Sequence, residues 1–199
     1  MRIIAGKYRS RPLTAPPGRH TRPTTDRLRE TLFNVLAPRI EGSIFLDLYA
    51  GSGAVGIEAL SRGASEVIFV EHAAPALKTI RANLSLLKIH SGYALESATA
   101  AAALRRLATQ GREVDLIFLD PPYEAAEEYD LILNLLGGAS SAILAADAIV
   151  IAEHAKRNQL AETYGNLHQY RTLHQGDASL SFYRGSKSIS GVLSPKLAT

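Results

Sequence analysis

The sequence predicts one α/β domain built on a doubly wound, mostly parallel sheet, and three observations carry that prediction. Beyond Gly42, short apolar runs bounded by turn residues alternate with stretches of helical periodicity. The first of these runs, Ile44-Phe45-Leu46-Asp47-Leu48-Tyr49, feeds directly into the glycine-rich turn Ala50-Gly51-Ser52-Gly53-Ala54-Val55-Gly56, the joint expected between the first strand and helix of such a sheet. At 199 residues and 46% apolar, the chain is long enough to bury one core of this kind and too short for two ordinary domains.

Residues 1–23 carry Gly6, Pro12, Pro16, Pro17, Gly18 and Pro23 among short extended pieces. Lys7, Arg9 and Arg11 recur at period two, so a strand holds all three on one face. That pattern reads equally as a cationic ribbon and as a solvated edge strand protected by charge. From Thr24 the period changes. Leu28, Thr31, Leu32, Val35 and Leu36 mark a helix over roughly 26–37, with Thr24, Thr25 or Asp26 to cap it and Pro38 beyond its end. Strands follow near 44–49, 66–70, 92–95, 114–119 and 147–152, with helices near 54–62, 75–87, 99–109 and 126–136. The last strands, about 166–173 and 178–184, leave no room for a helix between them and are expected to form an antiparallel hairpin, giving seven strands. The expected organisation is a basic extension over 1–40, a body over 41–184 and a flexible tail over 185–199.

The net charge of +3 conceals a split: residues 1–40 hold nine Lys/Arg and two acids (+7), and the other 159 residues hold 13 basic and 17 acidic side chains (−4). A basic arm on a mildly acidic body suits a protein that meets a polyanion. Absence of cysteine excludes disulfides, thiolate metal sites and a cysteine nucleophile. The six histidines are scattered without paired ligand spacing, so no metal is expected. No apolar run approaches a membrane span and no signal-peptide pattern opens the chain, so a cytoplasmic location is expected.

Glycines at the first turn let the backbone approach a ligand and adopt positive φ. Gly51-x-Gly53-x-x-Gly56 also satisfies the dinucleotide fingerprint, with Glu71 placed 20 residues after Gly51 to accept from ribose hydroxyls. Alone, this leaves NAD and S-adenosylmethionine (SAM) open. Asp47, four residues before Gly51, favours SAM, because an acid there meets the ammonium of a methionine moiety and crowds a pyrophosphate; the bland reading is a carboxylate that holds the loop's own amides. Glu71 has a bland reading too, as a helix cap or a surface residue.

The strand VDLIFL ends in Asp120-Pro121-Pro122-Tyr123. Adjacent prolines fix φ and carry no N–H, which holds the Pro121 carbonyl out as an acceptor. A planar exocyclic amine offers two N–H donors, one for Asp120 and one for that carbonyl. Its conjugated lone pair makes it a weak nucleophile, so a carboxylate beside the developing cation and strict orientation are the needed catalytic contributions. Tyr123 is placed to stack on the base.

These motifs resemble the class I methyltransferases that modify exocyclic amines. The block Arg22-Pro23-Thr24-Thr25-Asp26-Arg27-Leu28-Arg29-Glu30-Thr31-Leu32-Phe33-Asn34, followed by DLYAGSGAVGIEALSRGA and DPPY, resembles more narrowly the RsmD family of 16S rRNA guanine-966 N2-methyltransferases, from the opening RIIAG through about residue 184. The resemblance implies a Rossmann-like class I methyltransferase fold with a C-terminal antiparallel hairpin and a basic N-terminal ribbon and helix. It implies SAM bound by Asp47, Ala50, Gly51, Ser52, Gly53 and Glu71, with Thr24, Thr25 and Asp26 helping to close the pocket, and guanine held by Asp120, Pro121, Pro122 and Tyr123. The expected partner is 16S rRNA in a small-subunit assembly intermediate, met by a monomer whose Lys7, Arg9, Arg11, Arg22, Arg27 and Arg29 contact phosphates. After the third strand, where relatives place Asp or Asn for the adenine amine, this chain has Ala98, leaving Glu96, Ser97 or backbone groups for that contact. Competing readings are an amino-methyltransferase for adenine or cytosine, a NAD-dependent oxidoreductase, and an RNA-binding module with a relic cofactor fold.

Overall fold

The computed structural model describes residues 1–16, 25–122 and 125–185. Its centre is a sheet in the order β3-β2-β1-β4-β5-β8-β7-β6, eight strands among the described residues. These are β1 (Ile44–Leu48), β2 (Glu66–Glu71), β3 (Tyr93–Ser97), β4 (Val114–Leu119), β5 (Leu144–Ala155), β6 (Thr163–Tyr164), β7 (Leu167–Gln175) and β8 (Ala178–Gly185). The first five pair in parallel, and β8 inserts antiparallel between β5 and β7. Helices α1 (Asp26–Ile40), α2 (Ala54–Ser61), α3 (Ala74–Leu86), α4 (Ala100–Thr109) and α5 (Ala126–Gly137) cover the two faces. Because side chains alternate along a strand, Phe45 and Leu46 enter different cores: one with α1, α2 and α3 through Leu32, Phe33, Ile57 and Ile80, the other with α4 and α5 through Leu104, Leu107, Ile132 and Leu136.

The expected alternation of elements and the C-terminal hairpin are present, with three differences. The sheet gains the two-residue strand β6, paired antiparallel with the start of β7. Helix α1 runs through Pro38 to Ile40 instead of stopping before the proline; the bond Pro38 forfeits is to the carbonyl of exposed Asn34, which water can serve, and Leu36 and Ile40 keep the last turn in the core. The third difference concerns the ribbon. Residues 7–11 form consecutive turns, not a strand, and regular pairing is limited to a bridge between Arg2 and Pro12. Gly6 and Ser10 adopt φ of 80° and 67°, outside the extended region, so Lys7, Arg9 and Arg11 do not share a strand face although all three are exposed.

The described residues of the basic extension are part of the domain instead of an appendage. Ile3 and Leu13 join the same core as α1, α2 and β1. Buried Glu58 on α2 accepts the Ile4 and Ala5 N–H groups at 2.8 and 3.0 Å. Ser61 Oγ donates to the Ala5 carbonyl and accepts the Tyr8 N–H, while the Ser61 carbonyl accepts the Lys7 N–H. A Cβ on Gly6 overlaps that carbonyl, so only glycine lets the chain pass this close. Asn83 on α3 completes the attachment, bonding the Thr14 N–H and carbonyl with its amide oxygen and nitrogen.

Candidate active site

Strand order reverses at β1, whose neighbours are β2 on one side and β4 on the other. Ligands of open α/β sheets bind at the carboxyl ends of strands at such a switch point. The glycine turn leaves β1 there, and Asp120-Pro121-Pro122 leaves β4 there, with Asp47 opposite Phe118 and Leu48 opposite Leu119. Pairing of Leu119 with Ala152 brings Glu153, on β5, to the same edge.

The glycine turn is held open by its own strands. Tyr49 adopts φ 63°, a conformation disfavoured for a bulky residue, and its hydroxyl donates to Glu128 at 2.5 Å. Gly51 and Gly53 follow at φ 56° and 77°, and Gly53 caps α2. Asp47, 2% exposed, accepts the Gly56 N–H at 2.9 Å. Glu71 accepts the Gly51 N–H at 3.0 Å through one oxygen and the His72 and Ala73 N–H groups at 2.8 Å through the other. Asn83, already bound to Thr14, also donates to the Ser52 carbonyl at 2.9 Å. Asp47 and Glu71 therefore both serve the loop and helix amides, the bland role each was given from sequence. Glu71 nevertheless stands within hydrogen-bond reach of Gly51, beside the open side of the turn.

The residues fit SAM on two observations. A Cβ on Gly51 meets no atom nearer than the Tyr49 carbonyl oxygen at 3.8 Å, so the turn presents open backbone to a ligand. The groups around it are carboxylates under mutual repulsion: burial pushes Asp47 up to about 7, and the Glu71 charge adds to the rise despite the Gly56 hydrogen bond. Such a site favours a ligand that carries ammonium and sulfonium charges. For adenine, Glu96 is engaged in an ion pair with Arg106, and the Ala98 N–H donates to the Glu71 carbonyl.

Asp120 is only partly accessible, and burial, the Glu153 charge and the Asp47 charge hold its carboxyl well above the usual range. Neither the Asp120 carboxylate nor the Pro121 carbonyl accepts a hydrogen bond from the described residues, whereas the Pro122 carbonyl accepts the Ala125 N–H at 2.8 Å. Two acceptors thus stand side by side at the switch point. Glu153, read from sequence as structural, is 3% exposed and acts electrostatically on Asp120, while its carbonyl accepts the Tyr129 hydroxyl.

Tyr123, Thr24 and Arg22 lie outside the described residues. Thr25 caps α1, accepting the Leu28 N–H at 3.2 Å. Arg27 is exposed, as a phosphate contact requires. Arg29 is a correction: its side chain is fully buried, bonded to the Arg2 carbonyl and to Asp26, with its Nε 3.8 Å from Glu58. A guanidinium enclosed between α1, α2 and the first residues of the chain neutralises a buried carboxylate and does not reach RNA. Sequence reasoning passed over Glu58 and Asn83. Their signals were a lone acid in the apolar α2 segment and an asparagine three residues after Ile80, on the core face of α3.

The family model described as "Conserved hypothetical protein 95" matches residues 1–184. Ribosomal RNA small subunit methyltransferase D of Escherichia coli is 36% identical over 184 residues, covering 92% of this chain and 89% of the relative. Bacillus subtilis YlbH is 37% identical over 184 residues, covering 92% and 98%. The solved structure of Escherichia coli yhhF superposes with a TM-score of 0.81 at 34% identity, covering 93% of this chain and 97% of that one. Fold, glycine turn, paired acceptors and sequence likeness over nearly the whole described chain agree, and the chain belongs to the RsmD family of SAM-dependent rRNA methyltransferases.

Proposed function

We propose that this enzyme methylates the exocyclic N2 amine of a guanine in 16S rRNA, held between the Asp120 carboxylate and the Pro121 carbonyl. The observation that carries this reading is the pair of adjacent acceptors without donors among the described residues, at the switch point beside the open glycine turn. One N–H of the amine goes to each, which fixes the nitrogen in position. Asp47, Ala50, Gly51, Ser52, Gly53 and Glu71 hold SAM, which supplies an electrophilic methyl group. As positive charge grows on the nitrogen, the Asp120 carboxylate stabilises it. The burial and neighbouring carboxylates that raise its pKa also make Asp120 a better acceptor for the proton the amine then releases. Exposed Lys7, Arg9, Arg11 and Arg27 contact phosphates of the flanking RNA, and Tyr123 stacks on the base. The target is a cytoplasmic small-subunit assembly particle, and the family's guanine 966 is the expected position.

Methyl transfer from labelled SAM to small-subunit particles and to free 16S rRNA, followed by nucleoside analysis, tests the proposal. Wild type is expected to label N2-methylguanosine, with Asp120→Ala lowering the rate by at least a hundredfold, about 3 kcal/mol of barrier. Label on adenosine or cytidine overturns the base assignment, and unaltered transfer by Asp120→Ala overturns the mechanism.

A further inference from the structure

The strand β7 carries a second surface of nucleic-acid chemistry, away from the catalytic edge. Its ladder with β8 slips between Gln169 and Arg171, leaving Tyr170 as the extra residue of a bulge. A bulge redirects side chains, and here Tyr170 and Arg171 are both exposed, with Tyr170 at 43%. The Tyr170 ring lies 6.2 Å from that of Phe182, and the Arg184 guanidinium covers it at 4.4 Å from the centroid. The charges of Arg171 and Arg39 act on the same phenol. Arg39, from the end of α1, bonds the Asp147 carbonyl at 2.8 Å and its carboxylate at only 4.0 Å, a long, exposed pair that neutralises little. Among the described residues, Arg171 has no acidic partner and the buried Arg184 Nε has no hydrogen-bond acceptor.

Resting on the rRNA reading above, we propose that Tyr170, Arg171, Arg184 and Arg39 form a second RNA-binding patch, the arginines on backbone phosphates and the tyrosine ring under one unpaired base. Stacking on an aromatic ring beside arginines is how single-stranded RNA is held without sequence preference. Placement fixes which RNA it is. Arg184 pairs with Ile149, four residues before Glu153, and Arg171 lies across β8 from Ile151, two residues before it, so the patch sits roughly 7–13 Å down the strands from the catalytic edge. Arg171, three strands over from β4, lies roughly 15 Å to the side of Asp120. That is too far for the methylated nucleotide itself, and the patch engages a flanking segment. The net positive charge excludes a basic protein partner, and an acidic one is separated from RNA by the test.

Affinity for a 16S rRNA fragment is measured against salt for the full chain and for Arg171→Glu, Tyr170→Ala and Arg105→Glu. Arg105 makes the same charge change on exposed α4, across the sheet. Arg171→Glu is expected to weaken binding about tenfold and lower the salt slope by about 1. Tyr170→Ala should weaken it about tenfold with the slope unchanged. Arg105→Glu should leave both nearly unaltered, and the transfer rate at saturating RNA should persist in all three. Wild-type affinity and slope in both patch variants, or an equal loss in Arg105→Glu, overturns the patch. Loss confined to protein-containing particles overturns RNA as its partner. Absence of rRNA methylation by wild type instead defeats the functional reading.

Discussion

Replacing Glu58 by alanine tests how the arm is joined to the catalytic body. Glu58 and Arg29 both have side chains with no exposure, and Glu58 also accepts Arg62 Nε at 2.7 Å and two N–H groups of the arm. Truncation leaves Arg29 with the half-exposed Asp26 as its remaining charge partner. Removing one member of a buried ion pair costs about 3–5 kcal/mol. Each backbone N–H left without an acceptor adds about 1–3 kcal/mol where water does not replace it, and the partial exposure of Ile4 and Ala5 places this contribution at the low end. A total of roughly 5–7 kcal/mol is a large share of the 5–15 kcal/mol typical of a domain. Urea unfolding should show that loss in midpoint, with hydrogen exchange at Ile4 and Ala5 accelerated first. Arg29→Met in the Glu58→Ala background should recover part of it, because the uncompensated charge carries most of the cost. A loss under about 1 kcal/mol with those amides still protected would refute the reasoning.

Gly6→Ala forces a Cβ into the Ser61 carbonyl at a residue with φ 80°, and is expected to destabilise by about 2–4 kcal/mol in thermal or urea unfolding; Gly42→Ala, with open space around its Cβ, should cost only the positive-φ strain of about 1 kcal/mol. Asp47 gives a pH test. Its folded pKa of about 7, well above the usual carboxylate value of about 4, means that the folded state binds the proton more tightly, so this group's penalty is absent below about pH 4 and grows as pH rises to about 7, reaching at most ~4 kcal/mol. Asp47→Asn keeps an acceptor for Gly56 and removes the charge. Its stability advantage over wild type should therefore widen between pH 5 and pH 8 in urea titrations, and a constant difference contradicts the assigned burial cost.

The local patterns were legible because they are set by neighbours in sequence. Alternation of IFLDLY, EVIFV and VDLIFL with helical periods, the glycines of the turn and the two prolines after Asp120 each dictate backbone geometry within a few residues. The ribbon misled because period two marks a strand only where a ladder continues: Lys7 and Tyr8 instead bond Ser61, and the Arg9 and Arg11 N–H groups close turns onto the Gly6 and Tyr8 carbonyls.

By itself the sequence determined the order of elements, the turn that faces a ligand and the tetrad that ends β4. Tertiary structure decided what each charge is for. Arg27 and Arg29 are two residues apart in one helix, yet the first is exposed and the second is sealed against Glu58, 29 residues away. Asp47, Asp120 and Glu153 meet only because β1, β4 and β5 lie side by side in the sheet. A charge is stabilised or frustrated by whatever surrounds it across space, at low dielectric, and no local period encodes that.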